Sequence, residues 1–218
     1  MEQNNQDITK NDELEQTISK MHKVVKSMVK PSRYEHSVST AEMAERMCNE
    51  YGENPRLGYL ACLVHDICKD FDSKKMLALA KQDGKPISDI EMDKKNLLHG
   101  RAAAVFLETE YGITDVKLLE AVQNHTFGAP GMASLGKILY AADKIEPTRP
   151  HITKERIESL FEKELDDFVL SVLEEALEYE HSMGHTLAPI TEKFLLSLIK
   201  GVNIKWVLEV LKIKTQFF

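Results

Sequence analysis

Residues 62–70 read CLVHDICKD, a stretch in which the His65-Asp66 pair directly follows an apolar run that ends at Val64. A histidine and a carboxylate are costly to bury unless they find a partner. Apolar side chains recur at helical spacing through this region, at positions 57, 60, 64 and 67, which predicts a helix over residues 57–70. The pair therefore lies on a segment that faces a core, and its binding partner has to be sought elsewhere in the sequence.

The remaining sequence predicts an all-α fold. Apolar residues spaced three and four apart indicate helices over 12–29, 73–82, 97–110 and 133–145, one or two helices over 154–182, and short helices over 191–200 and 204–214. Ser32 and Glu35 fit a capping box that opens a further helix. Thr114 is placed to cap a helix that runs to His125, and Thr153 to cap the one that follows Pro150. No stretch alternates with a period of two, so no strand is predicted.

The composition excludes several classes of function. The chain has 218 residues, is 43% hydrophobic and 29% charged, and carries a formal net charge of -7, which is typical of a soluble globular protein. No run of lysines and arginines is interleaved with aromatics, so long nucleic acid is not an expected partner. No apolar run approaches the ~20 residues of a membrane span. The polar N-terminus is not a signal peptide, and the three cysteines form no CxxC pair, as expected of a cytoplasmic protein with reduced thiols.

Four of the eight histidines lie near ends of predicted helices, close to the apolar stripe: His36, His65, His99 and His125. Asp66 accompanies the second of them, and Asp143 interrupts an apolar helix. One histidine on an apolar helix face is usually an ordinary core residue, but chance does not readily produce the order H…HD…H…H…D. Imidazole and carboxylate without a nearby thiolate suit iron, manganese, cobalt or magnesium better than a structural zinc site. The set predicts a metal site built from several helices.

This order resembles that of the HD-domain metal-dependent phosphohydrolases and, more narrowly, the YqeK family, the symmetrical diadenosine tetraphosphate hydrolases of bacteria. The segments that carry the resemblance are RYEHS (33–37), LVHDICKD (63–70), LLHG (97–100), HTFGAPGM (125–132) and KILYAADKIEPTR (137–149). It implies an HD-domain helical bundle over residues 16–192. A flexible N-terminal segment, 1–15, is expected before it, and a helical extension, 193–218, after it.

The resemblance also implies the metal ligands. The first metal would be held by His36, His65, Asp66 and Asp143. His99 and His125 would bind either a second metal shared through Asp66 or the substrate phosphates. Iron is the implied metal, with manganese, cobalt and magnesium as alternatives.

Further roles are expected around these ligands. Lys69 follows Asp66 by three residues and can neutralise charge on a phosphate. Asp70 is expected to orient a ligand histidine or to take a proton from water. The remaining expected phosphate contacts, besides His36, His99 and His125, are Arg33, Thr126, Gly128 and Arg149, with Glu146 orienting Arg149 or a ligand.

One segment departs from the family. Where the family carries I-H-P-x-T, this chain has Leu187-Ala188-Pro189-Ile190-Thr191, so that Ala188 replaces a histidine. Leu187 and Thr191 are still implied as substrate-binding residues. His22 and His151 have no supporting motif, and His181 and His185 flank a loop that could approach a nucleotide.

The expected activity is the hydrolysis of diadenosine tetraphosphate to two ADP by metal-activated water. The expected partner is therefore a dinucleoside polyphosphate or an ADP-like nucleotide. Two alternatives stay open: an HD phosphohydrolase of another nucleotide, such as a nucleoside monophosphate, a dNTP or guanosine tetraphosphate, and a metal-dependent nucleotide sensor without turnover. A further interpretation, a helical interaction scaffold, is not favoured because it requires the six motif residues to occur together by coincidence. The apolar end WVLEVLKIKTQFF (206–218) needs cover, for which a homodimer is one solution.

Overall fold

The computed structural model describes residues 2–199, with side chains from residue 11 onward. Within this range the chain forms α-helices and 3₁₀ turns and contains no strand, so the prediction of an all-α fold is confirmed. The helices are α1 (Glu2–Met28), α2 (Pro31–Tyr51), α3 (Pro55–Val64), α4 (Ser73–Ala80), α5 (Asp89–Asp93), α6 (His99–Tyr111), α7 (Val116–Asn124), α8 (Ser134–Ile145), α9 (Lys154–Phe161), α10 (Leu165–Ser182) and α11 (Pro189–Leu198). None of these helices is long and apolar enough to cross a membrane.

Helix α3 lies at the centre of the bundle, with α1, α2, α7 and α8 packed around it. Every residue of α3 from Gly58 to Val64 is buried. A Cβ atom at Gly58 would lie 2.3 Å from Cys48 Sγ, so the missing side chain lets α2 and α3 approach closely. Cys48, Cys62 and Cys68 are free and buried. Because α3 is buried and packs closely against α2, its C-terminal end is fixed at the middle of the molecule.

The predicted helix over 57–70 is wrong at its end, because α3 stops at Val64 and residues 65–70 continue as tighter turns. Backbone bonds span three residues there, from Ile67 N to Val64 O (3.1 Å) and from Lys69 N to Asp66 O (2.9 Å). Such turns have about three residues per turn, so side chains three apart point to the same side. This places Lys69 beside Asp66.

Other predicted helix boundaries need correction. Helix α2 begins at Pro31 and has no side-chain cap, so the predicted capping box of Ser32 and Glu35 is wrong; proline's fixed φ suits the first helical position. Asp115, and not Thr114, caps α7 by accepting from Leu118 N at 2.9 Å. The cap at Thr153 is confirmed. The short helix α5 was not predicted at all.

The C-terminal part of the described chain belongs to the same core. Helix α11 spans the expected boundary between residues 192 and 193, and its Phe194 and Leu195 are fully buried. The domain limits 16–192 and the flexibility of residues 1–15 stay predictions. The predicted helix over 204–214 and the segment 206–218 lie outside the described residues.

A buried ion triad fastens the segment 83–91 to the first turns of α6. Arg101 Nε donates to Asp83 Oδ2 at 2.7 Å, and Arg101 Nη1 donates to Glu91 Oε1 at 3.0 Å. The three side chains are 11%, 5% and 7% exposed. Since an unpaired buried charge is costly, the triad fixes the start of α6, where His99 lies two residues before Arg101.

Replacement of Arg101 by methionine should lower the free energy of unfolding by about 3–5 kcal/mol, because it leaves two buried carboxylates without their cation. Urea denaturation followed by circular dichroism measures this. Glu158→Gln removes an exposed ion pair with Arg46 and should leave the midpoint unchanged. Equal midpoints for the two variants would contradict the importance of the triad.

Candidate metal centre

Helix ends from five parts of the chain bring the predicted ligands together. His36 comes from the second turn of α2, His65 and Asp66 follow α3, His99 opens α6, and His125 follows α7; Asp143 lies in the last turn of α8. His65 is fully buried, with its Nε2 3.6 Å from Asp143 Oδ1, and the other five residues meet at a cavity of about 370 Å³, which Arg33, Lys69, Thr126 and Arg149 also line. The structure therefore assembles the predicted His/Asp set around one space.

Three of the histidines are oriented by the same backbone contact. In each, Nδ1 lies at hydrogen-bond distance from the carbonyl oxygen three residues earlier: His65 to Cys62 (2.5 Å), His99 to Asn96 (2.7 Å) and His125 to Val122 (2.7 Å). A carbonyl can only accept, so Nδ1 carries the proton in all three rings. Each Nε2 then presents a lone pair, which is the arrangement of a metal-binding histidine.

His36 is oriented by a side chain and not by the backbone. Its Nδ1 donates to Glu146 Oε1 at 3.0 Å, and its Nε2 lies 3.1 Å from Asp143 Oδ1. Glu146 is 1% exposed and also accepts from the Thr148 hydroxyl at 2.7 Å. The expectation that Glu146 orients a ligand therefore has a geometric basis: it aligns His36.

The protein satisfies these lone pairs unevenly: that of His99 Nε2 faces the Lys69 ammonium at 2.9 Å, whereas that of His65 Nε2 faces no donor. His65 Nε2 is buried and has no hydrogen bond. The Nε2 atoms of His99 and His125 are 2.9 Å apart, so two acceptors face each other there. Burial lowers the pKa of both rings, that of His125 to about 4, and outweighs the opposing effect of Asp66, which disfavours a bridging proton at neutral pH. A metal cation fits this donor set because it accepts electron pairs from such nitrogens.

Asp66 is shared by two candidate ligand groups. One comprises His36, His65 and Asp66, and the other Asp66, His99 and His125, and within each group the ligand atoms lie within 4.8 Å of one another. Asp66 Oδ1 is 3.2 Å from His99 Nε2 and 3.7 Å from His125 Nε2. Asp143 Oδ1 adds a carboxylate 3.6 Å from His65 Nε2. The geometry accommodates one metal or two bridged through Asp66.

The electrostatics of the site keep its carboxylates ionised. Burial would raise the pKa of Asp66, but the surrounding His65, His125 and His99 outweigh it and hold that pKa well below its ordinary value. Burial would likewise lower the pKa of His36, yet hydrogen bonds to Asp143 and Glu146 outweigh it and raise the pKa to about 9. Without a metal, the charge balance is therefore met by a protonated His36 between two carboxylates.

Lys144 Nζ lies 3.4 Å from Asp143 Oδ2, and three further cations contact this cluster from the cavity. Arg33 Nη1 donates to Asp66 Oδ2 at 2.7 Å, Lys69 Nζ lies 2.9 Å from His99 Nε2, and Arg149 Nη2 donates to Asp143 Oδ1 at 3.1 Å. All three side chains line the cavity and are about one-third exposed, from 28% to 33%. Each is thus both held by an acid and open to an anionic ligand.

Asp70 takes a different place from the one expected. Its Oδ2 accepts from Lys30 N at 3.0 Å and lies 3.5 Å from Arg33 Nε. These contacts orient Arg33 at the start of α2, whereas the expectation was that Asp70 orients a ligand histidine. Proton transfer by Asp70 stays a prediction.

Leu187 and Thr191 do not line the cavity with the other expected substrate-binding residues. Leu187 is half-buried and packs against the core, and Thr191 is buried beneath the turn that follows His125. Gly128 lies in that turn as well, with φ of 70°. His22 binds Tyr34 and Tyr59 away from the cavity, and His151, His181 and His185 are exposed.

Two features that support the site leave little or no trace in the amino-acid sequence. The backbone carbonyls of Cys62, Asn96 and Val122 leave no mark in the residue types. The clamp that Asp70 and Asp66 form on Arg33 spans the gap from α2 to the end of α3, and only the short spacing between the two aspartates could have suggested it.

A family model described as HD domain matches residues 33–148, which is more than half of the chain and includes every predicted metal ligand. The chain belongs to the HD domain family.

Three similar proteins carry more specific descriptions than the family model does. The chain is 29% identical over 168 residues to a protein of Halalkalibacterium halodurans named symmetrical bis(5'-nucleosyl)-tetraphosphatase, covering 77% of this chain and 89% of that one. It is 34% identical over 132 residues to the Staphylococcus aureus protein of the same name, covering 61% and 68%. A crystal structure of an HD superfamily hydrolase from Clostridium acetobutylicum, described as involved in NAD metabolism, superposes with a TM-score of 0.77 at 27% identity, covering 84% and 96%.

Glu146→Gln should weaken metal binding about 10–100-fold, because a neutral amide is a poorer acceptor for His36 Nδ1–H and lowers the basicity of the ring. Calorimetric titration of the metal-free protein with Mn²⁺ measures the affinity. The exposed Glu155→Gln serves as the control and should bind like the parent. An unchanged affinity in Glu146→Gln would show that His36 is not oriented in this way for a metal.

Proposed function

We propose that this protein hydrolyses diadenosine tetraphosphate symmetrically to two molecules of ADP. The observation that carries the proposal is the cavity that three histidines and two aspartates line together with Arg33, Lys69 and Arg149, with the Nε2 atom of the buried His65 within 3.8 Å of both aspartates. The relatives named symmetrical bis(5'-nucleosyl)-tetraphosphatase support it.

The charges of the cavity suit a polyphosphate chain. When bound, a divalent metal supplies Lewis-acid activation of water and of a phosphoryl oxygen. His36, His65, Asp66 and Asp143 would hold it, with His99 and His125 available for a second ion or for the phosphates. The cations at the rim then face the negative bridge, where preorganised positive charge stabilises a phosphoryl-transfer transition state.

The chain's own residues position the reaction. Lys69 Nζ, held 3.9 Å from Asp66 Oδ1, can neutralise charge on a bridging oxygen as it leaves. Arg149 is fixed by its Nε donating to Asp143 O at 2.6 Å, so its remaining N–H groups can bind a phosphate. A water oxygen forms a bond to one of the two central phosphorus atoms, the bond from that phosphorus to the central bridging oxygen breaks, and the leaving ADP takes the proton.

Iron is the metal we propose, with manganese, cobalt and magnesium as alternatives. The site offers nitrogen and oxygen ligands, and Cys62 contributes only its carbonyl, which accepts from His65 Nδ1. Burial raises the pKa of the Cys62 thiol well above its ordinary value, so this cysteine stays protonated. A hard-to-borderline metal matches such a donor set.

The cellular setting is also a proposal. Three free, buried cysteines support a reducing, cytoplasmic compartment. A homodimer would involve the apolar segment 206–218, which lies outside the described residues.

Hydrolysis in H₂¹⁸O tests the cleavage position. Protein loaded in turn with Fe²⁺, Mn²⁺, Co²⁺ or Mg²⁺ should convert diadenosine tetraphosphate to ADP alone, with one ¹⁸O in half of the ADP molecules. His65→Ala and Asp66→Ala should abolish turnover, whereas the exposed His151→Ala should not.

The products that form distinguish symmetrical hydrolysis from its alternatives. AMP plus ATP would overturn symmetrical cleavage. Full activity of Asp66→Ala with a full metal content would overturn the assignment of Asp66. Nucleotide binding without any product would favour the sensor, and turnover of another nucleotide alone would favour another HD substrate.

Lys69→Met should lower kcat by about 10²–10³-fold at unchanged metal content, since it removes a preorganised positive charge from the cavity. Steady-state kinetics with diadenosine tetraphosphate and elemental analysis of the protein provide the two readouts. Lys74→Met, an exposed change in the first turn of α4, is the matched control. If both variants turned over substrate equally, Lys69 would have no part in the reaction.

A further inference from the structure

The turn after His125 connects the cavity to helix α11. Thr126 lines the cavity, and its hydroxyl lies 3.3 Å from His99 Nε2. The next residue, Phe127, turns its carbonyl oxygen away from the cavity and accepts a hydrogen bond from Thr191 Oγ1 at 2.9 Å. Thr191 is 6% exposed and lies in the first turn of α11.

A second contact presses the same turn onto α11. Gly128 has φ of 70°, and a Cβ atom there would lie 2.1 Å from Phe194 Cδ1. Phe194 is fully buried and packs edge-on against Tyr140 of α8, with ring centroids 5.1 Å apart. Gly128 N also donates to Asn124 O at 2.8 Å. The turn 125–128 is therefore held from α7 on one side and from α11 on the other.

We infer that Thr191 is a positioning residue that acts through the Phe127 carbonyl to fix the Thr126 hydroxyl at the cavity wall. Thr191 does not line the cavity, so it reaches a bound nucleotide only through this turn. The inference rests on the proposed function for the identity of the nucleotide. Its consequence is that α11, which contributes no side chain to the cavity lining, takes part in ligand binding.

The test measures ADP affinity by calorimetry with Mn²⁺-loaded protein, alongside hydrolysis of diadenosine tetraphosphate. Thr191→Val keeps the shape of the side chain but leaves the Phe127 carbonyl without its donor, and should weaken ADP binding about tenfold, the effect of roughly one lost hydrogen bond. Thr191→Ser should restore it. Ser197→Ala, which removes a hydroxyl bonded to the same helix at Phe194 O, should bind like the parent.

A double-mutant cycle separates positioning from a general loss of structure. If Thr191 acts through Thr126, Thr126→Val combined with Thr191→Val should bind ADP no more weakly than Thr126→Val alone. Additive losses would overturn the inference, as would a lowered metal content or a midpoint of unfolding below the assay temperature in Thr191→Val.

The outcomes distinguish this inference from the proposed function. Parental ADP affinity in Thr191→Val would overturn the positioning role even if the parent hydrolyses the tetraphosphate. The predicted pattern of ADP affinities without hydrolysis by the parent would support the positioning role and overturn the proposed function. Absence of ADP binding by the parent would overturn both.

Discussion

The site depends on one repeated interaction, the hydrogen bond from a histidine Nδ1 to the carbonyl three residues before it. A ring held in this way cannot turn over, and its remaining nitrogen must face the space between the helices. His65, His99 and His125 share the arrangement because each stands at a helix boundary: His65 and His125 directly follow α3 and α7, and His99 is the first residue of α6. Packing of helix ends around α3 then brings three such nitrogens together, so the positions of helix boundaries become the positions of ligands.

Much of this could be predicted from residue patterns. The apolar spacing places His36, His65, His99 and His125 close to helix ends, and the structure brings these four together with Asp66 and Asp143. Local tightening of the chain could not be predicted, because the apolar stripe runs on through Ile67 while the backbone changes from α-helix to i→i+3 turns after Val64. Residues three apart are neighbours in both conformations, so the spacing of Asp66 and Lys69 in the sequence already predicts their contact, at 3.9 Å from Nζ to Oδ1.

The contacts between residues distant in the sequence that hold the site in place could not be predicted either. A threonine in the motif around Leu187–Thr191 gives no sign of whether it contacts a ligand or a backbone carbonyl, since both accept the same hydroxyl proton. In the structure the carbonyl of Phe127, 64 residues away along the chain, is the acceptor. The same holds for Asp70, whose carboxylate orients Arg33. Sequence patterns identify polar groups near a site, but which of them face the cavity depends on how the helices pack.

The difference between His36 and the other three histidines has a consequence for how the site tolerates genetic change. The acceptors behind His65, His99 and His125 are main-chain oxygens, which every amino acid at positions 62, 96 and 122 would supply. The acceptor behind His36 is the side chain of Glu146, itself held by Thr148. Among the four histidines, a random codon change can therefore directly remove the support of His36 alone. Divergence between homologous sequences at position 146 should be more restricted than at the three positions whose contribution is made by the backbone.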